Sequence, residues 1–220
     1  MIELKNIVKK YNKGKSNEYL ALKGVSLSIA DGEMITIMGP SGAGKSTMLH
    51  IIACLDTYDS GEYYLNDVNI KEMTDNDLAL MRNEKIGIIT QDFALIDDFS
   101  VFANVMLPLD FSKKKVNNKK KLIMQALAEV GMEKYSQKKV DQLSGGQKQR
   151  VSIARAIVSN PNIIIADEPT GALDSQNAER IMNIFCQLQK KGKTIVIVTH
   201  DEKIASYAGR VVQIVDGEIK

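Results

Sequence analysis

Apolar and polar residues alternate twice within the first thirty positions. Ile2, Leu4 and Ile7 stand among polar neighbours, and Val25, Leu27 and Ile29 repeat the two-residue spacing. A period of two predicts half-buried strands and, here, an antiparallel sheet. Met34-Ile-Thr-Ile-Met38 is different, a compact apolar run that stops at Gly39-Pro40 and suits a strand buried on both faces. From Gly44 to Leu55 the composition is that of a buried helix. Tyr63, Leu65 and Val68 around Asn66-Asp67 predict a hairpin, and Ile86 to Thr90 a further strand.

The pattern changes near residue 97. Leu122, Ile123, Ala126, Leu127 and Val130 fall at helical spacing, and helical character persists to Val158. Strand signals return at Asn162 to Ala166 and at Thr194 to Thr199. Between them, Ala178 to Lys191 reads as an amphipathic helix with Ile181, Ile184, Phe185 and Leu188 on one face. Such alternation predicts an α/β fold with a mixed, mainly parallel sheet, an N-terminal antiparallel β part and an inserted helical subdomain. The expected core is residues 1–95 and 160–220, with residues 96–159 as the helical insertion.

The chain has 220 residues, with 29 Lys and Arg against 27 Asp and Glu, a net charge of +2. That length suits one domain, and the near-neutral balance gives no reason to expect a nucleic-acid partner. Cys54 and Cys186 are the two cysteines, without a CxxC, and read as small apolar thiols in a reducing compartment. No apolar run approaches a membrane span, and the first residues lack the shape of a signal peptide. A cytoplasmic location is therefore expected. The lysine-rich stretch 113–121 reads as a solvated loop and first helical turn, or as a contact for acidic lipid head groups or an acidic partner segment.

Candidate chemistry begins at Gly39, Pro40, Ser41, Gly42, Ala43, Gly44, Lys45, Ser46 and Thr47, which match GxxxxGK[ST] in full between a strand and a helix. Glycines let the backbone wrap a polyphosphate with its N–H groups inward, and a Cβ at Gly42 or Gly44 is expected to block that curvature. The helix opening at Gly44 adds its positive end. Lys45 is assigned to the β- and γ-phosphates, Ser46 to Mg²⁺ and Thr47 to the α-phosphate. A second acidic element follows: the apolar strand Ile163 to Ala166 ends in Asp167 and Glu168. Asp167 is expected to hold Mg²⁺ through a water, and Glu168 to polarise an attacking water as general base.

Leu143-Ser-Gly-Gly-Gln147 is a second glycine turn. Ser144 can cap the helix that follows, leaving the amides of Gly145 and Gly146 open to an anion, with no lysine or metal ligand to hold a nucleotide alone. With this turn the sequence resembles the ABC ATPases, whose signature motif is LSGGQ. The resemblance implies the ABC ATPase fold, ATP and Mg²⁺ as ligands, and an ATP-dependent head-to-tail homodimer. In it Ser144, Gly145, Gly146 and Gln147 of one copy cap the nucleotide on the phosphate loop of the other. It further implies that Tyr11 stacks on adenine. Gln91 corresponds to the Q-loop glutamine, which reaches Mg²⁺ and the water and senses the transporter subunit. Gly171 to Asp174 corresponds to the D-loop at the dimer interface, and His200 to the switch histidine that orients Glu168. His50, inside the phosphate-loop helix, reads as a packed structural residue.

Residues 38–49, 167–174 and 198–201 look like the branch that contains the LolD, MacB and FtsE ATPases. Thr90 and Lys148 depart from common residues of relatives at the Q-loop and after the signature. The branch implies an integral membrane permease partner of the MacB, LolCE or FtsX type, with this chain peripheral on the inner face of the membrane. Three uses of such a motor stay open: export or extraction of an amphiphile, mechanical signalling to extracytoplasmic enzymes, and a soluble DNA-repair or translation role. The last usually needs a long coiled coil or two heads in one chain.

Overall fold

The computed structural model describes residues 1–220. Strands β1 (Ile2–Tyr11), β2 (Tyr19–Ile29), β4 (Ser60–Leu65) and β5 (Val68–Asn69) form an antiparallel sheet in the order β2-β1-β4-β5. A second sheet has the order β10-β9-β3-β8-β7-β6. In it β3 (Met34–Met38), β6 (Ile86–Ile89), β7 (Ile163–Asp167), β8 (Thr194–Val198) and β9 (Arg210–Val215) run parallel. Only β10 (Glu218–Ile219) pairs antiparallel, with β9.

The apolar runs serve two cores at once. Ile35, Ile37, Ile163, Ile165, Val196 and Val198 face the core shared with the antiparallel sheet and α1 (Lys45–Ile52). Their strand neighbours Met34, Ile164, Ala166, Ile195 and Ile197 face a second core. There they meet α3 (Val101–Asp110), α4 (Lys119–Glu129), α5 (Gly145–Ile157) and α6 (Ser175–Lys190). Because successive side chains of a strand point to opposite faces, a strand between two cores has no polar side, which is why these runs do not alternate. No helix is long and apolar enough to cross a membrane.

Three local features differ from the sequence expectation. First, α1 stops at Ile52 because Cys54 adopts a left-handed conformation (φ 55°) and Leu55 N–H returns to the His50 carbonyl at 2.8 Å. His50 is exposed rather than packed, since the buried face of this short helix is Met48, Leu49, Ile51 and Ile52. Second, α2 (Asp75–Lys85) has no fully buried residue, and only Leu78 and Met81 rest half-buried on the core, too short a stripe to betray it. Its signal is the capping box between Thr74 and Asp77. Third, β9 and β10 form a hairpin whose turn is Asp216 (φ 49°) and Gly217 (φ 80°), an Asp-Gly pair suited to a tight two-residue turn. Both cysteines are free, and burial pushes the Cys54 thiol up to about 11.

Candidate active site

All four parallel strands that precede a candidate motif deliver it at their carboxyl ends, where open α/β sheets bind ligands. β3 leads into Gly39, β6 into Gln91, β7 into Asp167 and Glu168, and β8 into Thr199 and His200. The resulting cleft is lined by Tyr19, Ser41, Gly42, Gly44, Lys45, Ser46, Thr47, Gln91, Asp167, Glu168 and Val198.

The loop that forms one wall is held by backbone constraints. A Cβ on Gly39 (φ 156°) would lie 2.0 Å from the Ile214 carbonyl oxygen, and one on Gly44 (φ 99°) 2.6 Å from that of Ala21. Gly42 behaves differently from the sequence expectation: a Cβ there meets nothing within 4 Å, so only its φ of 79° asks for glycine. Ala43 is buried, with its carbonyl taken by Gly217 N–H at 3.0 Å. The Lys45 ammonium donates to the carbonyls of Gly39 and Pro40, both at 2.8 Å, which fixes the positive charge beside the loop. No side chain caps α1, so its first amides remain available to an anion.

The opposite wall is acidic. Burial raises the Asp167 carboxyl above its usual range, and Glu168 adds to the rise, while Ser46, His50 and Lys45 oppose it. Glu168 sits in the left-handed region (φ 44°), with its N–H on the Val198 carbonyl at 2.9 Å. This turn aims the carboxylate at the end of β8. Thr199 Oγ1 donates to Glu168 Oε2 at 3.1 Å, and His200 Nδ1 lies 2.6 Å from Glu168 Oε1. Glu168 is thus tethered at both oxygens. A Cβ on Gly171 would meet Glu168 Cβ at 3.7 Å and Gln91 Nε2 at 3.8 Å, which brings the Q-loop and D-loop residues to the same corner. The hydroxyl of Ser46, the carboxylate of Asp167 and the amide oxygen of Gln91 are the hard oxygen donors that Mg²⁺ takes.

Other expected site residues lie outside the cleft. Ser144 caps α5 in a reciprocal capping box, with its N–H on Gln147 Oε1 at 3.0 Å. Ser144 and Gly145 are exposed, and none of Ser144 to Gln147 lines the cleft of its own chain. A Cβ on Gly146 would strike the Asn177 side chain at 2.8 Å. Asn177 is bonded to Asp174, the cap of α6, so signature and D-loop are packed as one unit. Tyr11 is half-buried beside the cleft, its hydroxyl 3.5 Å from Thr47 Oγ1. Two residues were not singled out from the sequence. Thr199 looks like the last residue of a strand, and Tyr19, whose hydroxyl donates to the Gly42 carbonyl at 2.7 Å, sits in an unremarkable surface pattern.

A glycine loop opening a helix, a carboxylate pair at a strand end and a histidine beside the second carboxylate define a P-loop nucleotide hydrolase. The family described as ABC transporter matches residues 22–171. The uncharacterized ABC transporter ATP-binding protein MJ0796 of Methanocaldococcus jannaschii is 46% identical, covering 100% of this chain and 95% of its own length. The macrolide export ATP-binding/permease protein MacB of Escherichia coli is 42% identical over 100% of this chain, which spans 34% of MacB. Among solved structures, a dimeric MJ0796 cassette superposes with a TM-score of 0.91 at 44% identity, covering 100% of this chain and 97% of that one. A dimeric post-hydrolysis state of the same cassette, bound to ADP and Pi, also gives 0.91, at 43% identity with the same coverage. The chain belongs to the ABC transporter family and is an ATP-binding, ATP-hydrolysing cassette.

Proposed function

We propose that the chain is the motor of an export or membrane-extraction system for an amphiphile, such as a peptide, an antibiotic or a lipid-linked protein. The observation that carries this reading is the identity, over the whole chain, to a protein whose name joins an ATP-binding part to an export permease. The permease here is a separate integral membrane subunit of the MacB, LolCE or FtsX type, and the cassette is peripheral on the inner membrane face.

ATP lies along the loop from Gly39 to Thr47. Backbone amides and Lys45 take the β- and γ-phosphates, Thr47 the α-phosphate, and Tyr11 the adenine. The half-buried Asp167 beside Ser46, its carboxyl raised by desolvation, fits a site built for a cation. Mg²⁺, when bound by Ser46, Asp167 and Gln91, supplies charge neutralisation at the phosphate oxygens. Glu168 accepts a proton from the water that attacks the γ-phosphorus in line. Thr199 and His200 hold both its oxygens and so fix the direction of that transfer. The helix start at Ser144 to Gln147, where Ser144 and Gly145 are exposed and Gly146 is buried against Asn177, stabilises the γ-phosphate from a second copy, which makes the working unit a head-to-tail homodimer, with Asp174 at the interface.

The membrane subunit docks at a groove lined by Leu55, Ile88, Leu107, Pro108 and Phe111, between Arg82 and Arg155. Leu55 and Phe111 are exposed there, at 52% and 75%. The segment 92–102, just past Gln91, is divided. Leu95 and Phe102 pack on the helical core, while Ile96 and Phe99 remain exposed. Mass spectrometry of what co-purifies with the tagged chain from gently solubilised membranes tests the reading. It predicts a stoichiometric integral membrane protein, lost in the Leu55→Glu/Phe111→Glu double variant. A soluble partner, with no membrane protein, would sink it.

A further inference from the structure

Lys9 is a charged residue with 7% exposure, in a strand whose neighbours could have been apolar. Its ammonium donates to Asp56 Oδ1 at 2.6 Å and to the Thr57 carbonyl at 2.7 Å. The same ammonium stands over the ring of Tyr11, 4.9 Å from its centroid, because Lys9 and Tyr11 are two residues apart on one strand. The Tyr11 hydroxyl donates to the other carboxylate oxygen, Asp56 Oδ2, at 2.8 Å. Burial alone would raise the Asp56 carboxyl, but the hydrogen bonds from Lys9, Tyr11 and Thr57 N–H outweigh it and hold the carboxyl low. Asp56 follows α1, and its N–H meets the His50 carbonyl at 3.3 Å. The helix that opens in the phosphate loop therefore ends in the clamp on Tyr11.

A buried ion pair is a weak source of net stability, because desolvating two charges offsets most of their attraction. What this one provides is geometry. The cation covers one face of the half-buried ring, and the hydroxyl bond to Asp56 restrains the ring's remaining rotation. We propose that Lys9 and Asp56 are positioning residues for nucleotide recognition, locking the Tyr11 ring so that adenine meets a platform held from behind. This rests on the reading of Tyr11 as the adenine-stacking residue.

The test is equilibrium binding of ATP and of inorganic tripolyphosphate, each with Mg²⁺, to the full chain. Tyr11→Ala is expected to weaken ATP roughly tenfold, the scale of one lost base–aromatic stack. Lys9→Met and Asp56→Asn are expected to weaken ATP roughly three- to tenfold while leaving tripolyphosphate within about twofold. Tyr11→Phe keeps the ring and removes only the hydroxyl, so it cannot unfold the strand, and its expected loss is about threefold for ATP alone. ATP affinity unchanged in these three variants, with Tyr11→Ala still weakened, would overturn the positioning role and leave the adenine reading intact. Equal losses for ATP and tripolyphosphate would also overturn it, by assigning the network to the phosphate loop or the fold. If Tyr11→Ala itself binds ATP normally, the adenine reading fails and takes the proposal with it.

Discussion

Glu168 adopts a backbone conformation that a non-glycine residue takes only at some cost, and both of its carboxylate oxygens are tethered. The strain is the means by which the carboxylate turns from the end of β7 toward the end of β8. Thr199→Val, which keeps shape and removes the donor to Oε2, is expected to lower turnover roughly tenfold with ATP affinity retained. Steady-state ATPase kinetics beside equilibrium ATP binding check it. Asp167 illustrates the opposite trade. Its folded-state pKa is raised above the ordinary 3.8, so the native state is most favoured below that value and loses stability as pH rises through the raised pKa. At neutral pH the bare carboxylate costs stability. Asp167→Asn is therefore expected to melt higher than the native chain when both lack ATP and Mg²⁺, while losing Mg²⁺-dependent turnover. Thermal melts at pH 7.5 and in acid measure it, and a native advantage at pH 7.5 would contradict it. Asp167, Glu168 and His200 were legible because each follows an apolar strand. Thr199 was not, because a buried threonine at a strand end looks the same whether it packs or donates.

At the scale of elements, the phosphate loop leans on the C-terminal hairpin. Gly217 N–H holds the Ala43 carbonyl, and the Ile214 carbonyl occupies the space that a Cβ on Gly39 would need. Gly39→Ala is expected to cost about 3 kcal/mol through overpacking against backbone, which lowers the melting temperature by roughly 6–12 °C for a chain of this size. Calorimetry measures this, and an unchanged melt would mean that the loop is free of the hairpin. The hairpin and α2 are the elements that hydrophobic periodicity did not reveal. α2 has no fully buried residue, and only Leu78 and Met81 rest half-buried on the core, so its clearest local signal is the cap at Thr74 and Asp77. In β9, Val211 is exposed while Val212 and Ile214 are buried, a strand pattern readable in principle but short and terminal. The strands that carry the site were legible because burial between two cores leaves them uniformly apolar.

For the whole molecule, the α/β expectation and the antiparallel β part agree with the structure, while the helical insertion shares its core with the central sheet. α3, α4 and α5 meet β6, β7 and β8 in one apolar cluster, so a movement at the signature is mechanically connected to the sheet edge next to Gln91. Arg155 on α5 donates to the carbonyls of Phe93 (3.0 Å) and Ala94 (2.5 Å), both left-handed residues just past Gln91. Lys148 pairs with Asp97 at 3.0 Å. Arg155, which lines the groove proposed for the membrane subunit, is thus bonded to the loop just past Gln91. What no single chain contains is a cleft with both glycine turns facing one phosphate. That division of labour is the central claim, and the measurement that tests it most directly is the molar mass of Glu168→Gln by light scattering in saturating ATP and Mg²⁺. The account predicts a stable dimer that falls to monomer when ATP is removed, with turnover abolished. A monomer that still binds ATP would contradict the composite site.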